Sequence, residues 1–481
     1  MLCLLLSINS CIGQSSAETE EISVSKAAQI DEIISLYADY GGFNGAAAVS
    51  HRDRVIYKKG FGFANMEWDI PNDIDTKFQI ASITKSFTAM LVMQLVEDKT
   101  LDLEESISTY LPNYPKEVAE KVTIHHLLSH TSGIPNVKGE NKAFHPEDMV
   151  GKFVNEPLAF DPGTKFDYSN SGYTLLGYLI ETVTQRSYQD VLTDKIFKPL
   201  GMTNSGFYRN RTLIKNMSSG YNRWYGDYFD VDKTDESSAY SAGGIYSTVE
   251  DMMLWNEALR HETLLPQEFM NKIFTRHSTD GDGFYGYGWE FKRIPVGNTN
   301  ETIETVGHSG MMDGYRTSFI RIPSTNSSIV LFSNTSYAFL NALNKSILGI
   351  LNDRPYDDPL KPLALFFTRV VEQEGIDEGI SFYRLNKDES EYYVSEEELI
   401  VTGYKFLQSG NPDYALKIFA LSIEIFPASY NPYDSYAEAL MTTGQNREAI
   451  EYYRKSLELK PDNINAERMI EKLQEKIGRD D

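Results

Sequence analysis

The chain has 481 residues, which predicts two or three domains, and its apolar content of 41% is ordinary for a globular protein. Its formal net charge is −24, and an acidic excess of this size argues against nucleic acid and anionic membrane surfaces as main partners. The two cysteines, Cys3 and Cys11, both lie near the N-terminus. Disulfides, thiol nucleophiles and cysteine-based zinc sites are therefore excluded from the rest of the chain.

The first 25 residues predict a signal peptide and a tether. The apolar opening from Met1 to Cys11 resembles a secretory signal with a short hydrophobic region, although no Lys or Arg precedes it. Ile8-Asn9-Ser10-Cys11 resembles a bacterial lipoprotein box, in which Asn9 is an unfavourable departure, so Cys11 is a candidate lipid anchor. We therefore expect an exported protein that is periplasmic, secreted or held as an outer-membrane lipoprotein. A buried or frayed N-terminus is the alternative.

The elements that follow the tether predict the start of a globular domain. Apolar residues at helical spacing between Ile30 and Tyr37 predict a helix that ends at Gly41-Gly42. Gly45 to Ser50 and Val55 to Ala64 then predict a β-hairpin, joined through a polar turn.

Ser82 and Lys85 stand at the start of a long apolar helix. Residues three apart share a helix face, so the Lys85 amine can reach the Ser82 hydroxyl. Such a hydroxyl needs a base to become a nucleophile, and a lysine is a base only where its pKa is depressed, as by burial. The apolar run from Phe87 to Val96 predicts that burial, and the helix N-terminus would direct free N–H groups at an oxyanion. The alternative is a serine that only caps the helix.

Two histidines lie on the next predicted helix, which spans Val122 to Pro135. His126 and His130 are four residues apart and could in principle share a metal ion. No third ligand follows at a metal-site spacing, so we interpret both as surface or loop-anchoring histidines. We expect neither a metal nor another cofactor.

Tyr168 and Asn170 lie in a predicted loop between the Pro162-Gly163 turn and a helix. Asn170 or Ser171 is the expected cap of that helix. A tyrosine in such a loop can relay protons if cations lower its pKa, and an asparagine can hold an amine or a substrate amide. An ordinary turn with a cap is the alternative.

His308, Gly310 and Met311 follow a predicted strand in the second half of the chain. A small residue and a glycine beside a strand let a substrate approach the backbone closely. His308 could contact the substrate or a proton relay, and the Met311 N–H could stabilise an oxyanion. The antiparallel strands predicted around them are Phe284 to Phe291, Ile303 to Val306, Tyr315 to Ile322 and Ser328 to Phe332.

The chain changes character after a closing helix at Tyr337 to Asn352. Residues 355–394 predict a charged helical linker or a degenerate repeat. Residues 395–481 contain an internal repeat with a 34-residue offset, the tetratricopeptide period, which is a candidate site for a protein partner. Four positions of the first repeat recur in the second: Gly410 as Gly444, Ala415 as Ala449, Phe419 as Tyr453 and Pro427 as Pro461.

The motifs Ser82-x-x-Lys85, Tyr168-x-Asn170 and His308-x-Gly310, in this order, resemble the serine beta-lactamase and penicillin-binding-protein superfamily. They look most like its class C branch, which includes D-Ala-D-Ala carboxypeptidases, D-aminopeptidases and beta-lactamase-like esterases. The resemblance covers Ile30 to Asn352. It implies an α+β fold for residues 26–354, with an antiparallel sheet flanked by helices, a helical subdomain and the site between them. The 34-residue recurrence separately predicts that all-α repeats follow this domain.

The resemblance also implies roles for the motif residues. Ser82 would be the acylated nucleophile, and Lys85 and Tyr168 would share proton transfer. Asn170 would position the lysine and the substrate. The N–H groups of Ser82 and Met311 would form the oxyanion hole.

The third motif departs from the beta-lactamases proper, where a lysine usually stands in place of His308. That departure favours hydrolysis of an ester, amide or peptide over antibiotic resistance. Arg316 could replace the missing cation, or it could be a strand-edge surface arginine.

The predicted function is therefore that of an exported serine hydrolase acting through an acyl-enzyme on a small molecule or peptide, such as a D-amino-acid peptide or a beta-lactam-like compound. A catalytically degenerate sensor that acts through its repeats is the alternative. A scaffold in which the repeats dominate is a third reading, weakened because two clear units offer little concave surface.

Overall fold

The computed structural model describes residues 24–137, 145–208, 212–224, 227–231 and 239–480. The predicted signal peptide, nearly all of the tether and Cys11 lie outside these residues. The chain divides into two compact units, Met1–Asn222 with Asp230–Asp358, and Arg223–Phe229 with Pro359–Asp481. The domain limits expected at residues 354 and 394 remain predictions.

The strands lie mostly in the first unit. In chain order they are β1 (Gly45–His51), β2 (Arg54–Phe61), β3 (Phe63–Asn65), β4 (Ile70–Pro71), β5 (Phe78–Gln79), β6 (Gly206–Phe207), β7 (Tyr221–Trp224), β8 (Asp227–Asp230), β9 (Ile245–Ser247), β10 (Ser278–Asp280), β11 (Gly283–Tyr285), β12 (Glu290–Pro295), β13 (Thr302–Met312), β14 (Tyr315–Ile322), β15 (Ser327–Ser333), β16 (Lys361–Pro362) and β17 (Tyr392–Tyr393).

Helices make up most of the remaining described chain. In the first unit they are α1 (24–39), α2 (Thr84–Glu97), α3 (Lys116–Ala119), α4 (Ile124–Leu128), α5 (Pro146–Gly151), α6 (Asn170–Thr184), α7 (Tyr188–Leu192), α8 (Lys198–Leu200), α9 (Tyr240–Gly243), α10 (Val249–Ala258), α11 (Gln267–Ile273) and α12 (Leu340–Leu351). Those of the second unit are α13 (Leu363–Glu374), α14 (Ile376–Asn386), α15 (Glu396–Gln408), α16 (Pro412–Ile425), α17 (Asn431–Thr442), α18 (Asn446–Leu459) and α19 (Ile464–Asp480).

An eight-stranded antiparallel sheet in the order β10-β11-β12-β13-β14-β15-β1-β2 organises the first unit. The N-terminal hairpin completes this sheet because β1 pairs with β15, with Gly45 opposite Ser333. Successive strand residues point to opposite faces, so Ala46 and Ala48 enter one apolar core and Ala47 and Val49 enter the other. Helix α2 lies in the first core, while α1 and α12 contribute to the second. The predicted antiparallel sheet flanked by helices is thus confirmed.

Two details of the predicted strands are wrong. The single strand expected from Phe284 to Phe291 is two strands, β11 and β12, joined by a turn in which Gly288 has φ 79. A Cβ on Gly288 would lie 2.6 Å from the Lys85 carbonyl oxygen, so the turn needs glycine both for its conformation and for its approach to α2. The segment from His308 to Met311 lies within β13 rather than after a strand.

The second unit is helical in its C-terminal part, as predicted. Gly410 and Gly444 each end a helix with φ 83 and 82, respectively, which explains why glycine recurs at this position. Ala415, Phe419, Ala449 and Tyr453 from the sequence repeat are all buried. Among the described residues, no helix is both long and apolar enough to span a membrane.

Candidate active site

Ser82 lies in a short 3₁₀ turn, Ala81–Ile83, that leads directly into α2. It caps neither element, which removes the interpretation of Ser82 as a capping serine. The preceding Ala81 has φ 47, a conformation that costs energy in a non-glycine residue and that clusters at functional sites. Ser82 is partly exposed, whereas its neighbours Ala81 and Ile83 and nearly all of α2 are buried, so Ser82 is the accessible residue of this turn.

Lys85 is buried, and its Nζ contacts three oxygens. They are Ser82 Oγ at 3.0 Å, Asn170 Oδ1 at 2.8 Å and the Ala242 carbonyl at 2.8 Å. Burial lowers the Lys85 pKa to about 7, although the charge of Glu290 opposes the shift. Two of the three oxygens can only accept, so a neutral amine donates to both and turns its lone pair to the Ser82 hydroxyl. The arrangement therefore suits proton abstraction from Ser82.

Tyr168 lies beside this pair, close enough for the Ser82 side chain to lower the Tyr168 pKa against the larger effect of burial. The Lys85 Nζ is 4.8 Å from the centre of the Tyr168 ring. Burial raises the Tyr168 pKa well above its ordinary value. The proton relay expected from the sequence requires that nearby cations lower this pKa, and that condition is not met. The tyrosine is a neutral phenol that can donate or pass on a proton, rather than a resident phenolate.

Asn170 begins α6, but it does not cap that helix. Ser169 is the cap, with its Oγ accepting the Gly172 N–H at 3.0 Å, so the expected cap at Asn170 or Ser171 is wrong. Neither side chain is available as a cap, because Asn170 Oδ1 accepts a hydrogen bond from Lys85 Nζ and Ser171 Oγ accepts one from the Val137 N–H.

His308 is buried and neutral. Its Nδ1 lies 2.7 Å from the Ser309 carbonyl, which requires a proton on Nδ1, and its Nε2 then accepts from the Tyr285 hydroxyl at 3.0 Å. Burial lowers the His308 pKa to about 4. This residue therefore supplies no positive charge and has no free ring nitrogen.

Gly310 faces the segment before Ser82. A Cβ at this position would lie 2.3 Å from the Ile80 carbonyl oxygen and 2.2 Å from Thr317 Oγ1. Thr317 Oγ1 itself donates to the Ile80 carbonyl at 3.0 Å. Glycine thus lets β13 approach the turn that carries Ser82.

Met311 follows Gly310 on β13, with its side chain exposed. Arg316, its neighbour across the ladder on β14, directs its guanidinium to the Met312 and Tyr315 carbonyls. Its described hydrogen bonds thus go to the backbone of its own hairpin, which fits the interpretation of a strand-edge arginine.

His130 and Tyr285 are neighbours of the site that the sequence did not identify as part of it. His130 is buried with its ring 4.3 Å from the Tyr168 ring, and its Nδ1 accepts the Ser169 N–H at 3.0 Å. It is therefore a loop-anchoring histidine. His126 instead accepts the Thr123 N–H at the start of α4, and the described residues contain no cluster of three or more potential metal ligands.

Comparison with known proteins places the first unit in a family. Residues 30–351 match the family described as Beta-lactamase. The chain is 31% identical over 328 residues to the putative penicillin-binding protein PbpX of Bacillus subtilis, covering 68% of this chain and 80% of that protein. It is 30% identical over 350 residues to penicillin-binding protein 4* of the same organism, covering 66% and 75%.

Solved structures show the same relationship. The D-amino acid amidase of Ochrobactrum anthropi is 25% identical, with a TM-score of 0.59 over 69% of this chain and 98% of that one. A penicillin-binding protein from Bacillus halodurans is 28% identical, with a TM-score of 0.56 over 67% and 97%. Together with the family match over most of its length, these similarities show that the chain belongs to the beta-lactamase and penicillin-binding-protein superfamily of serine hydrolases.

Proposed function

We propose that the protein hydrolyses an ester, amide or peptide bond through an acyl-enzyme on Ser82. The observation that carries the proposal is the Lys85 amine, 3.0 Å from Ser82 Oγ, with its other two contacts made to carbonyl oxygens that can only accept. A buried lysine with a pKa of about 7 is partly neutral at physiological pH and can serve as a general base. A degenerate sensor would have no need to maintain this arrangement.

In the proposed acylation, Ser82 Oγ transfers its proton to Lys85 and bonds to the substrate carbonyl carbon. The N–H groups of Ser82 and Met311 would stabilise the oxyanion. The Lys85 ammonium then returns the proton through the Tyr168 phenol to the leaving oxygen or nitrogen as the scissile bond breaks. Water attacks the acyl-enzyme with the same groups acting in the opposite direction, which releases the acid and restores Ser82.

The substrate class follows from the charges around the site. His308 is neutral with both nitrogens engaged, so it cannot pair with a free substrate carboxylate, and Nη1 of Arg316 is already bonded to backbone carbonyls. This favours an uncharged ester or amide on that side of the scissile bond. The similarity to a D-amino acid amidase supports an amide of a D-amino acid as one candidate.

We further propose that the protein is exported, with Cys11 as a candidate lipid anchor, and that its C-terminal helices are tetratricopeptide repeats that bind a protein partner. The support is the signal-like opening of the chain and the 34-residue recurrence of buried positions and helix-ending glycines.

The test is intact mass after separate incubation with a fluorophosphonate, a penicillin and a p-nitrophenyl ester. Wild type should gain a covalent adduct from at least one reagent, and Ser82→Ala should gain none while remaining folded, because a small change at a partly exposed serine costs little stability. Ser86→Ala is the matched control, since Ser86 also lies near the start of α2 and its Oγ donates to the Ile83 carbonyl rather than to a group of the site. Turnover that persists in Ser82→Ala would overturn the acyl-enzyme on Ser82. A folded wild type that reacts with none of the three reagents would favour the degenerate sensor.

A further inference from the structure

Asn136, an exposed residue after α4, bonds both sides of the segment that carries Tyr168 and Asn170. Its Nδ2 donates to the Tyr168 carbonyl at 2.9 Å. Its Oδ1 accepts the Asn170 N–H at 2.8 Å and the Ser171 N–H at 3.3 Å. One amide group therefore fixes the backbone before and after the helix cap.

The buried side of the same segment is held by His130. The His130 carbonyl accepts the Asp167 N–H at 2.8 Å, and its Nδ1 accepts the Ser169 N–H at 3.0 Å. His130 itself has φ 57, which is uncommon for a non-glycine residue. Its ring also packs against that of Tyr168.

The first N–H groups of α6 are satisfied by two different side chains, those of Ser169 and Asn136. The first N–H groups of a helix lack intrahelical partners, and the Ser169 hydroxyl supplies one for Gly172. The N–H groups of Asn170 and Ser171 instead depend on the exposed Asn136 side chain. Removing that side chain leaves these two N–H groups to water, so local order would be lost without loss of the buried core.

The position of this segment decides where two groups of the site lie. Lys85 Nζ is 2.8 Å from Asn170 Oδ1 and 4.8 Å from the centre of the Tyr168 ring. A shift of the backbone from Tyr168 to Asn170 would therefore move both side chains away from Lys85 and Ser82 together. Misplacement by about 1 Å can lower an enzymatic rate by about 100-fold.

We propose that Asn136 is a positioning residue that, with His130, holds Tyr168 and Asn170 against Lys85 and Ser82. The inference rests on the proposed acyl-enzyme function, which it deepens. Asn136 acts through the backbone of the segment and contacts neither the Ser82 hydroxyl nor the Lys85 amine in the hydrogen bonds described.

The experiment compares wild type with Asn136→Ala and Asn136→Asp in the full chain. The readouts are the rate of fluorophosphonate labelling at Ser82, kcat and KM for a p-nitrophenyl ester, and hydrogen exchange of the Asn170 and Ser171 amides. Asn136→Ala should lose about tenfold or more in labelling rate and kcat, with faster exchange at both amides and a near-wild-type melting temperature. Asn136→Asp retains an acceptor for the two N–H groups, so it should preserve their protection and lose less of the labelling rate.

Asn65→Ala is the matched control, because the Asn65 side chain, at the end of β3 in the same unit, also bonds two groups, Ser219 Oγ and the Trp68 N–H. It should label at the wild-type rate. Equal labelling rates for wild type and Asn136→Ala would overturn the inference. A wild type that is not labelled would defeat the proposed function itself. The positioning role would then be decided by hydrogen exchange alone, and unchanged exchange at Asn170 and Ser171 in Asn136→Ala would overturn it.

Discussion

Lys85 is the residue whose ionisation controls the proposed chemistry. Its pKa of about 7 places the change from ammonium to amine within the range where enzymes are assayed. Because the neutral amine accepts the Ser82 proton, kcat/KM should rise with pH through about 7 and then level off. Measurement of kcat/KM for a p-nitrophenyl ester from pH 5 to 9 checks this expectation. The rate of spontaneous ester hydrolysis is subtracted at each pH.

Glu290 offers a variant that shifts the same profile without removing a proposed catalytic group. Its negative charge raises the Lys85 pKa against the effect of burial. Glu290→Gln should therefore lower that pKa and move the acidic limb of the profile to lower pH. A limb that stays in place in this variant, or a flat profile in wild type, would show that Lys85 is not the base.

Residue-scale sequence reasoning reached the Ser82 and Lys85 pair and the Asn170 partner of the lysine, but not the third Lys85 contact. The three-residue spacing of Ser82 and Lys85 is enough to bring their side chains together. The Ala242 carbonyl that completes the Lys85 contacts is 157 residues away along the chain, and no local spacing encodes such a contact. The raised pKa of Tyr168 was also missed, because it depends on burial by packed neighbours.

At the scale of elements, β13 and the Ser82 turn are joined through Gly310. Alanine at this position would bring its Cβ within 2.3 Å of the Ile80 carbonyl oxygen and 3.1 Å of the Ala81 Cβ. Both neighbours lie in the two residues directly before Ser82, so relief of the clash with them must move Ser82 relative to β13. Gly310→Ala should lower the rate of fluorophosphonate labelling by about 100-fold and destabilise the fold by about 1–3 kcal/mol.

Gly151→Ala is the control for that substitution. Gly151 ends α5, and a Cβ there would meet nothing within 4 Å. Its labelling rate and its free energy of unfolding by urea should match those of wild type. A Gly310→Ala variant that labels as fast as Gly151→Ala would mean that β13 and the turn are not held as closely as these contacts require.

Element prediction from the sequence succeeded where one local pattern dominates. The apolar run of α2 and the β-branched and aromatic residues of β14 gave both elements near their observed limits. It failed between Phe284 and Phe291, where aromatic residues continue through a tight turn and hide the break between β11 and β12. Gly288 marks that turn, but one of the two reasons for the glycine, its close approach to the Lys85 carbonyl, belongs to tertiary structure and is not visible in the local sequence.

At the scale of the whole molecule, the proposed chemistry belongs to the first unit. Ser82, Lys85, Tyr168, Asn170 and Met311 all lie within it, and the family match ends at residue 351. The helices α13 to α19 have apolar cores of their own, drawn from residues after 362. We therefore expect a chain that ends at Asp358 to keep fluorophosphonate labelling at Ser82 and ester hydrolysis at the full-length rate.

The truncated chain should be compared with its own Ser82→Ala variant, and its folding should be checked by circular dichroism and thermal melting. Labelling that depends on Ser82 in the truncated chain would assign the hydrolase to the first unit and leave α13 to α19 for another role, for which the repeat pattern favours protein binding. A truncated chain that melts cooperatively yet is not labelled would instead show that the chemistry depends on Pro359–Asp481.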